Sequence, residues 1–286
     1  MTSLTYHVDA EPGAPLAGTV PATSTAVRRH RWRRPVALLG SAVGRGAAIV
    51  ALLAVWETVP RLNLVDPTFL PPLSRVLRAW WTLAATGQLS RHVEASLVRS
   101  LSGFGLAIAV AVPLGLLIGW YKPVAILLNP LLELFRNTAA LALLPVFVLI
   151  LGLGETSKIA IILYGCVWPI LLNTISGVRT VDPMLVKAAR SLGLSPLRLF
   201  GKVVLPAAVP TIFTGVRLAG AYSILILIAA ELVGAKAGLG YLITYAQFNF
   251  DVPDMYAAII TVSAIGLVIN QLLVALERRF STWRTP

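Results

Sequence analysis

Residues 182–210 read DPMLVKAARSLGLSPLRLFGKVVLPAAVP, a polar and basic interruption between two long apolar segments. Its punctuation predicts two short helices. Asp182 can cap a helix whose first residue is Pro183, where the missing N–H is no loss. Residues 184–192 are good helix formers, and Gly193 can take the left-handed turn that ends them. Ser195-Pro196 repeats the start signal, and a second helix is expected to run from Leu197 to Val204, stopping at Leu205-Pro206. Leu185, Ala188, Ala189 and Leu192 fall on one face, while Lys187, Arg190, Arg198 and Lys202 supply charge. A compact two-helix block of this kind between apolar runs is either a docking surface or a solvated loop whose cations set membrane topology.

Outward from the block, the composition is that of a membrane protein. The 286 residues are 57% hydrophobic and 13% charged, with a mean hydropathy of +0.81, so the bilayer is the relevant solvent. The formal charge of +12 would point to nucleic acid in a soluble chain. Here the cations gather in loops and tails, where topology and lipid headgroups account for them, so no nucleic-acid partner is expected. Cys166 is the single cysteine and His7, His30 and His92 lie far apart, which excludes a disulfide within the chain and argues against a metal site.

Residues 1–35 read as a disordered cytoplasmic tail, closed by Arg28, Arg29, Arg31, Arg33 and Arg34. The remainder, 36–286, divides into six expected spans: 44–60, 101–120, 124–151, 158–176, 211–233 and 255–276. The fold class expected is therefore all-α and polytopic, with both termini cytoplasmic. Arg45 would snorkel to the inner headgroups. Residues 61–100 form an external connector in which 75–85, with Trp80 and Trp81, reads as an interfacial amphipathic helix or a plain connector. Gly103, Gly105, Gly115 and Gly119 mark a close helix–helix approach. The third segment is too long for one straight span; Pro130, Pro145 and the group Glu133, Arg136, Asn137 and Thr138 interrupt it. Broken helices persist in a bilayer only where they face protein or a cavity. Residues 234–253 read as an outer re-entrant or surface piece. The cytoplasmic side collects the N-terminal arginines, Lys122, the block's cations at 179–202, Arg278, Arg279 and Arg284.

No nucleotide-binding GxxxxGK[ST], no GxSxG, no HExxH and no CxxC occurs, so no catalytic residue, metal ligand or bound cofactor is expected. Charges within the apolar runs are the informative positions. Glu133 and Arg217 lie at similar depth from the cytoplasmic end, about 10–14 Å at 1.5 Å per residue, and are expected to meet. Arg136 lies nearer the middle and Glu231 near the outer end of its span. Two readings stay open: an anion pathway lined by Arg136 and Arg217, or ion pairs that fix helix packing.

Lys187-Ala188-Ala189, Gly193 and Leu205-Pro206 resemble the cytoplasmic EAA coupling loop of permease subunits in binding-protein-dependent ABC importers. The wider run GETSKIAIILYGCVWPILLNTISGVRTVDPMLVKAARSLGLSPL, and later Leu232-Val233-Gly234 with Gly238-Leu239-Gly240-Tyr241-Leu242, is similar to the nitrate, sulfonate and taurine branch. The likeness covers residues 62–279. Two positions depart from it: Lys187 stands where the loop usually carries glutamate, and Ala139 where this branch often has proline. The resemblance implies a type I importer. Two permease copies form the pathway in the cell membrane, and an extracytoplasmic solute-binding protein delivers the cargo. A dimer of ATP-binding subunits docks on residues 179–207, with ATP bound by that partner and not by this chain. Asp182, Lys187, Ala188, Ala189, Arg190, Gly193, Ser195, Pro196, Leu205 and Pro206 are the expected coupling residues; Glu133, Arg136, Arg217 and Glu231 are the pathway candidates. The branch implies a small anion, such as taurine or another organosulfonate. An ion-coupled carrier is the alternative and would need paired intramembrane acids, for which at most Glu133 and Glu231 qualify. A membrane-embedded enzyme would need a His or Asp constellation that the sequence lacks.

Overall fold

The computed structural model describes the backbone of residues 34–280 and the side chains of 47–279. The expected tail at 1–35, its arginine cluster, the Arg45 side chain and Arg284 lie outside those residues, apart from the first helical backbone at 34 and 35. The chain divides into two units, residues 1–51 and 52–286. The helices are α1 (Arg34–Arg61), α2 (Leu73–Ala85), α3 (Gln88–Trp120), α4 (Lys122–Arg136), α5 (Leu144–Leu151), α6 (Glu155–Arg179), α7 (Pro183–Ser191), α8 (Pro196–Leu199), α9 (Leu205–Leu232), α10 (Leu239–Phe248) and α11 (Val252–Phe280). A 3-10 turn, Ala140–Leu143, leads into α5, and a π-helical turn, Phe200–Val204, joins α8 to α9. No strand occurs among the described residues.

Among the described residues, four helical stretches are long and apolar enough to cross a bilayer: α3, α6, the continuous run Pro196–Leu232, and α11. Helix α4 and the segment Ala140–Leu151 make a fifth if taken together, bent by 83°. Helix α1, with 28 residues, has the length of a sixth, so the six-span reading is compatible with the structure.

The core is built on small residues. Gly103, Ala107, Ala111, Gly115 and Gly119 recur every four residues along one face of α3, which lies against α6. A Cβ added at Gly103 would sit 2.7 Å from Cβ of Ile162, and one at Gly115 2.7 Å from Cβ of Thr174. Gly119 approaches Val178 in the same way. Helix backbones come this close only where side chains are absent, and in a bilayer this gives dispersion contact that lipid tails cannot match. Gly105, expected in the same contact, has nothing within 4 Å, because it is half a turn away from that face. Gly215 of α9 repeats the device against Pro169 and Asn173 of α6. Helices α3, α6 and α9 thus form one tightly packed unit around buried Ile162, Cys166, Ile170, Leu171 and Leu227.

Three sequence expectations need correction. Residues 88–100, assigned to the external connector, are the first turns of α3. Ser96, Arg99 and Ser100 are buried against protein and His92 is half-buried, so low local hydropathy did not end the helix. Pro130 does not break α4, which runs through it. The break falls at Asn137–Ala139, where the Asn137 amide and Thr138 hydroxyl donate to the carbonyls of Glu133 (2.8 Å) and Leu134 (3.1 Å). Ala139 is extended, φ −62° and ψ 122°, so the bend forms without a proline there. Finally, Leu205-Pro206 does not end a helix. The π-helical turn bonds the Leu205 N–H to the Phe200 carbonyl, and the widened turn accommodates a proline ring that would clash in an ordinary α-helix.

Helix α2 is amphipathic as expected, but its apolar face covers protein. Val76 and Leu83 pack with Ala257 and Ala258 of α11, and Trp80 Nε1 donates to Thr261 Oγ1 at 3.0 Å.

Candidate functional site

The block at 182–204 is locally determined. Asp182 Oδ1 accepts from the Met184 N–H at 2.8 Å, capping α7 with Pro183 as its first residue. At the other end Gly193 has φ +74°. Its N–H donates to Arg190 O (2.9 Å) and that of Leu194 to Ala189 O (3.2 Å), the paired bonds of a Schellman ending. Ser195 precedes α8 without a side-chain cap, and Pro196 takes the first helical position. Ala189, Leu199 and Val204 are buried and seat the block on the bundle. Phe200 meets Trp120 at the end of α3 edge-to-face, with ring centroids 5.1 Å apart.

The outward side of this block is apolar where a solvated loop would be polar. Met184 and Leu185 are exposed, and Leu192 and Leu197 are 80% and 84% exposed. Lys187, Ala188, Arg190, Arg198 and Lys202 are exposed around them. Pro206 is exposed and Leu205 half-buried, within the helical run that carries the block into α9.

The pathway candidates separate. Arg217 does not meet Glu133; its Nη1 lies 3.2 Å from Glu277 Oε2 on α11. Counting residues along a span gives depth but not direction around the bundle, and α11 is the neighbour on that side, with Leu273 against Gly220. Glu133 and Arg136 are exposed on the last turn of α4, just before the 83° bend. Tyr164 of α6 donates its hydroxyl to Phe135 O at 2.8 Å there.

Glu231 lies at the opposite end of the bundle, in a group the sequence reading missed. Arg99 of α3, 3% exposed, donates Nη1 to Glu231 Oε1 (2.6 Å) and Nη2 to Glu155 Oε1 (2.7 Å), with Nε on the other Glu155 oxygen. Ser96 Oγ donates to the Glu231 carboxylate at 2.9 Å. The Gly240 N–H donates to Glu231 Oε2 at 2.9 Å. Lys158, also buried, donates to the Leu153 and Gly154 carbonyls, both at 3.1 Å. Two cations and two carboxylates thus gather here, and the buried ones are bonded. The available signal was the spacing His92, Ser96, Arg99, one face of a helix in residues read as a connector.

A model of the family described as binding-protein-dependent transport system inner membrane component matches residues 111–282. The chain belongs to this family. The taurine transport system permease protein TauC of Escherichia coli (strain K12) is 34% identical over 262 residues, 90% of this chain and 94% of that protein. The putative aliphatic sulfonates transport permease protein SsuC of Bacillus subtilis (strain 168) is 33% identical over 273 residues, 95% and 97% of the two chains. The fold is similar to that of the inward-facing MetNI methionine ABC transporter, with a TM-score of 0.60 at 19% identity over 68% of this chain and 96% of that one. The permease is thus a multi-pass inner-membrane subunit of an ABC importer, in the branch that the central motifs resemble.

Proposed function

We propose that the permease translocates a small organosulfonate-like anion, taken from an extracytoplasmic solute-binding protein and driven by ATP hydrolysis in separate subunits docked on α7 and α8. The observation that carries this reading is the exposed apolar side of a rigidly terminated block, Met184, Leu185, Leu192 and Leu197. Exposed apolar residues of this kind, ringed by cations, suit a partner's groove.

The block lies at the cytoplasmic end, with both termini on that side, and a second permease copy completes the pathway. ATP binding closes the partner dimer and displaces α7 and α8. Because α8 runs through the π-helical turn into α9 without a break, that displacement enters a span directly, and the Phe200–Trp120 contact passes it to α3. This is rigid-body switching. Lys187 is exposed at the position of the usual glutamate and would meet an acidic group on the partner. Nucleotide is held by the partner alone. Along the pathway Arg217 is neutralised by Glu277, which leaves Arg136, at the bend, as the cation that lowers the barrier for an anion. Similarity to TauC and SsuC over nine-tenths of the chain supports the sulfonate class.

The test is uptake by the reconstituted complex, offered radiolabelled taurine, an alkanesulfonate and a neutral pyrimidine in turn. Uptake of a sulfonate is expected; transport of the pyrimidine alone would overturn the anion assignment. Arg136→Gln should slow an anion more than a neutral solute. Gly193→Val, which puts a β-branched residue at φ +74° for about 1–2 kcal/mol, should abolish stimulation of ATP hydrolysis while the permease still inserts.

A further inference from the structure

The motif Gly238-Leu239-Gly240-Tyr241-Leu242 plays no part in the coupling block, yet the structure fastens it residue by residue. Arg99 Nη1 donates to the Ala237 carbonyl at 2.6 Å. The Gly238 N–H donates to His92 Nδ1 at 3.1 Å and the Leu239 N–H to Ser96 Oγ at 2.8 Å. The Gly240 N–H takes Glu231 Oε2. Four consecutive residues are therefore tied to side chains of α3 and α9, three of them from one face of α3. Gly238 has φ +123°, and a Cβ there would run into the Glu231 carboxylate and Arg99 guanidinium. Gly240 also lies close to Glu231, whose Cβ would be 2.6 Å from an added one. Directly after these residues α10 presents Tyr241, Thr244, Tyr245 and Phe248, which wall a cavity of about 290 Å³ over Leu232 and Gly234.

We propose that Arg99, Ser96 and His92 are positioning residues for transport: with Glu231 they clamp residues 237–240 to the α3–α6–α9 core, so that α10 and its aromatic wall travel with the core as one body through the cycle. An α10 hinged at its start would behave as an independent gate. The chemistry here is that of a permanent joint. The Glu231 carboxylate is sealed from solvent and accepts from three donors, whereas only the Glu155 arm, 63% exposed, is reached by water. Opening the joint would leave Arg99, Glu231 and three backbone N–H groups without their partners in a buried site, each a costly loss. The fork geometry of arginine is needed because one side chain serves two carboxylates and a carbonyl.

The proposal uses the importer reading only for its functional readout. In the complete complex with its ATPase and binding protein in lipid nanodiscs, spin labels are placed at Glu94→Cys on α3 and Gln247→Cys on α10, in a Cys166→Ala background. The distance between them should be the same without nucleotide and with ATP trapped; a shift between those states overturns the clamp. Arg99→Lys and Gly238→Ala should each broaden that distance distribution and lower solute moved per ATP by about tenfold. Gly238→Ala keeps every charge, so it decides the matter if Arg99→Lys fails to assemble. Unaltered distances and solute-per-ATP ratios in the variants overturn the assignment. Absence of uptake by the unsubstituted complex would instead count against the importer reading, since the distances are read without solute.

Discussion

The two ends of the helical bundle solve opposite problems. At one end, residues 183–200 leave leucines and a methionine in the open and surround them with exposed cations. At the other, Arg99, Lys158 and Glu231 are buried and bonded within the chain. Both segments carry a positive-φ glycine at a helix end, Gly193 and Gly238, and both follow the end of a span, so local chemistry alone does not separate them. What separates them is where unfavourable surface is resolved. The clamp resolves its polar groups internally, which makes it a fixed part of the core. The block leaves its apolar groups exposed, which is the ground for proposing that a partner covers them.

The contrast is sharpest in stability. Arg99→Met should cost about 3–5 kcal/mol, because Glu231 would stay buried without its cation. Thermal unfolding in detergent measures this, and Glu231→Gln in the same chain should restore much of the loss. A single variant as stable as the parent would show that the carboxylate finds another partner.

The small-residue seam comes next. Gly115→Val places atoms where Thr174 already lies and should destabilise by about 1–3 kcal/mol. Gly105→Ala, with open space around it, should cause no loss, and equal effects at the two positions would remove the seam from the account of the core.

Glu277→Gln tests the ordinary ion pair for comparison. The pair with Arg217 is partly exposed, so its loss should cost about 0–1 kcal/mol and depend on salt. A cost as large as that of Arg99→Met would mean that burial does not explain the difference between the two sites.

Leu192→Ser should be smallest of all in the isolated permease, within about 0.5 kcal/mol, since the residue is 80% exposed. In the complex the same change should markedly reduce stimulation of ATP hydrolysis. Destabilisation of the isolated chain by Leu192→Ser would make the block part of the core and remove the contrast.

Much of this protein is legible in the sequence because its decisive interactions are short-range. Asp182, Pro183 and Gly193 set the bounds of α7 through bonds spanning two to five residues, and apolar runs announce spans because a bilayer penalises every polar side chain it meets. The central block follows from those signals, while the family likeness rests on the motif residues Lys187-Ala188-Ala189, Gly193 and Leu205-Pro206. The rest depends on direction around the bundle, which a residue count along a helix does not contain. Residue counting puts Glu133 and Arg217 at a similar depth, yet packing gives Arg217 to Glu277. Ser96 and Glu231 are 135 residues apart, and only the close approach of α3, α6 and α9 brings their helices into register. The sequence determined the bounds of α7 and most of the apolar spans; tertiary packing decided where α3 begins and which charges are paired, because a buried charge is tolerated only where another element delivers its partner.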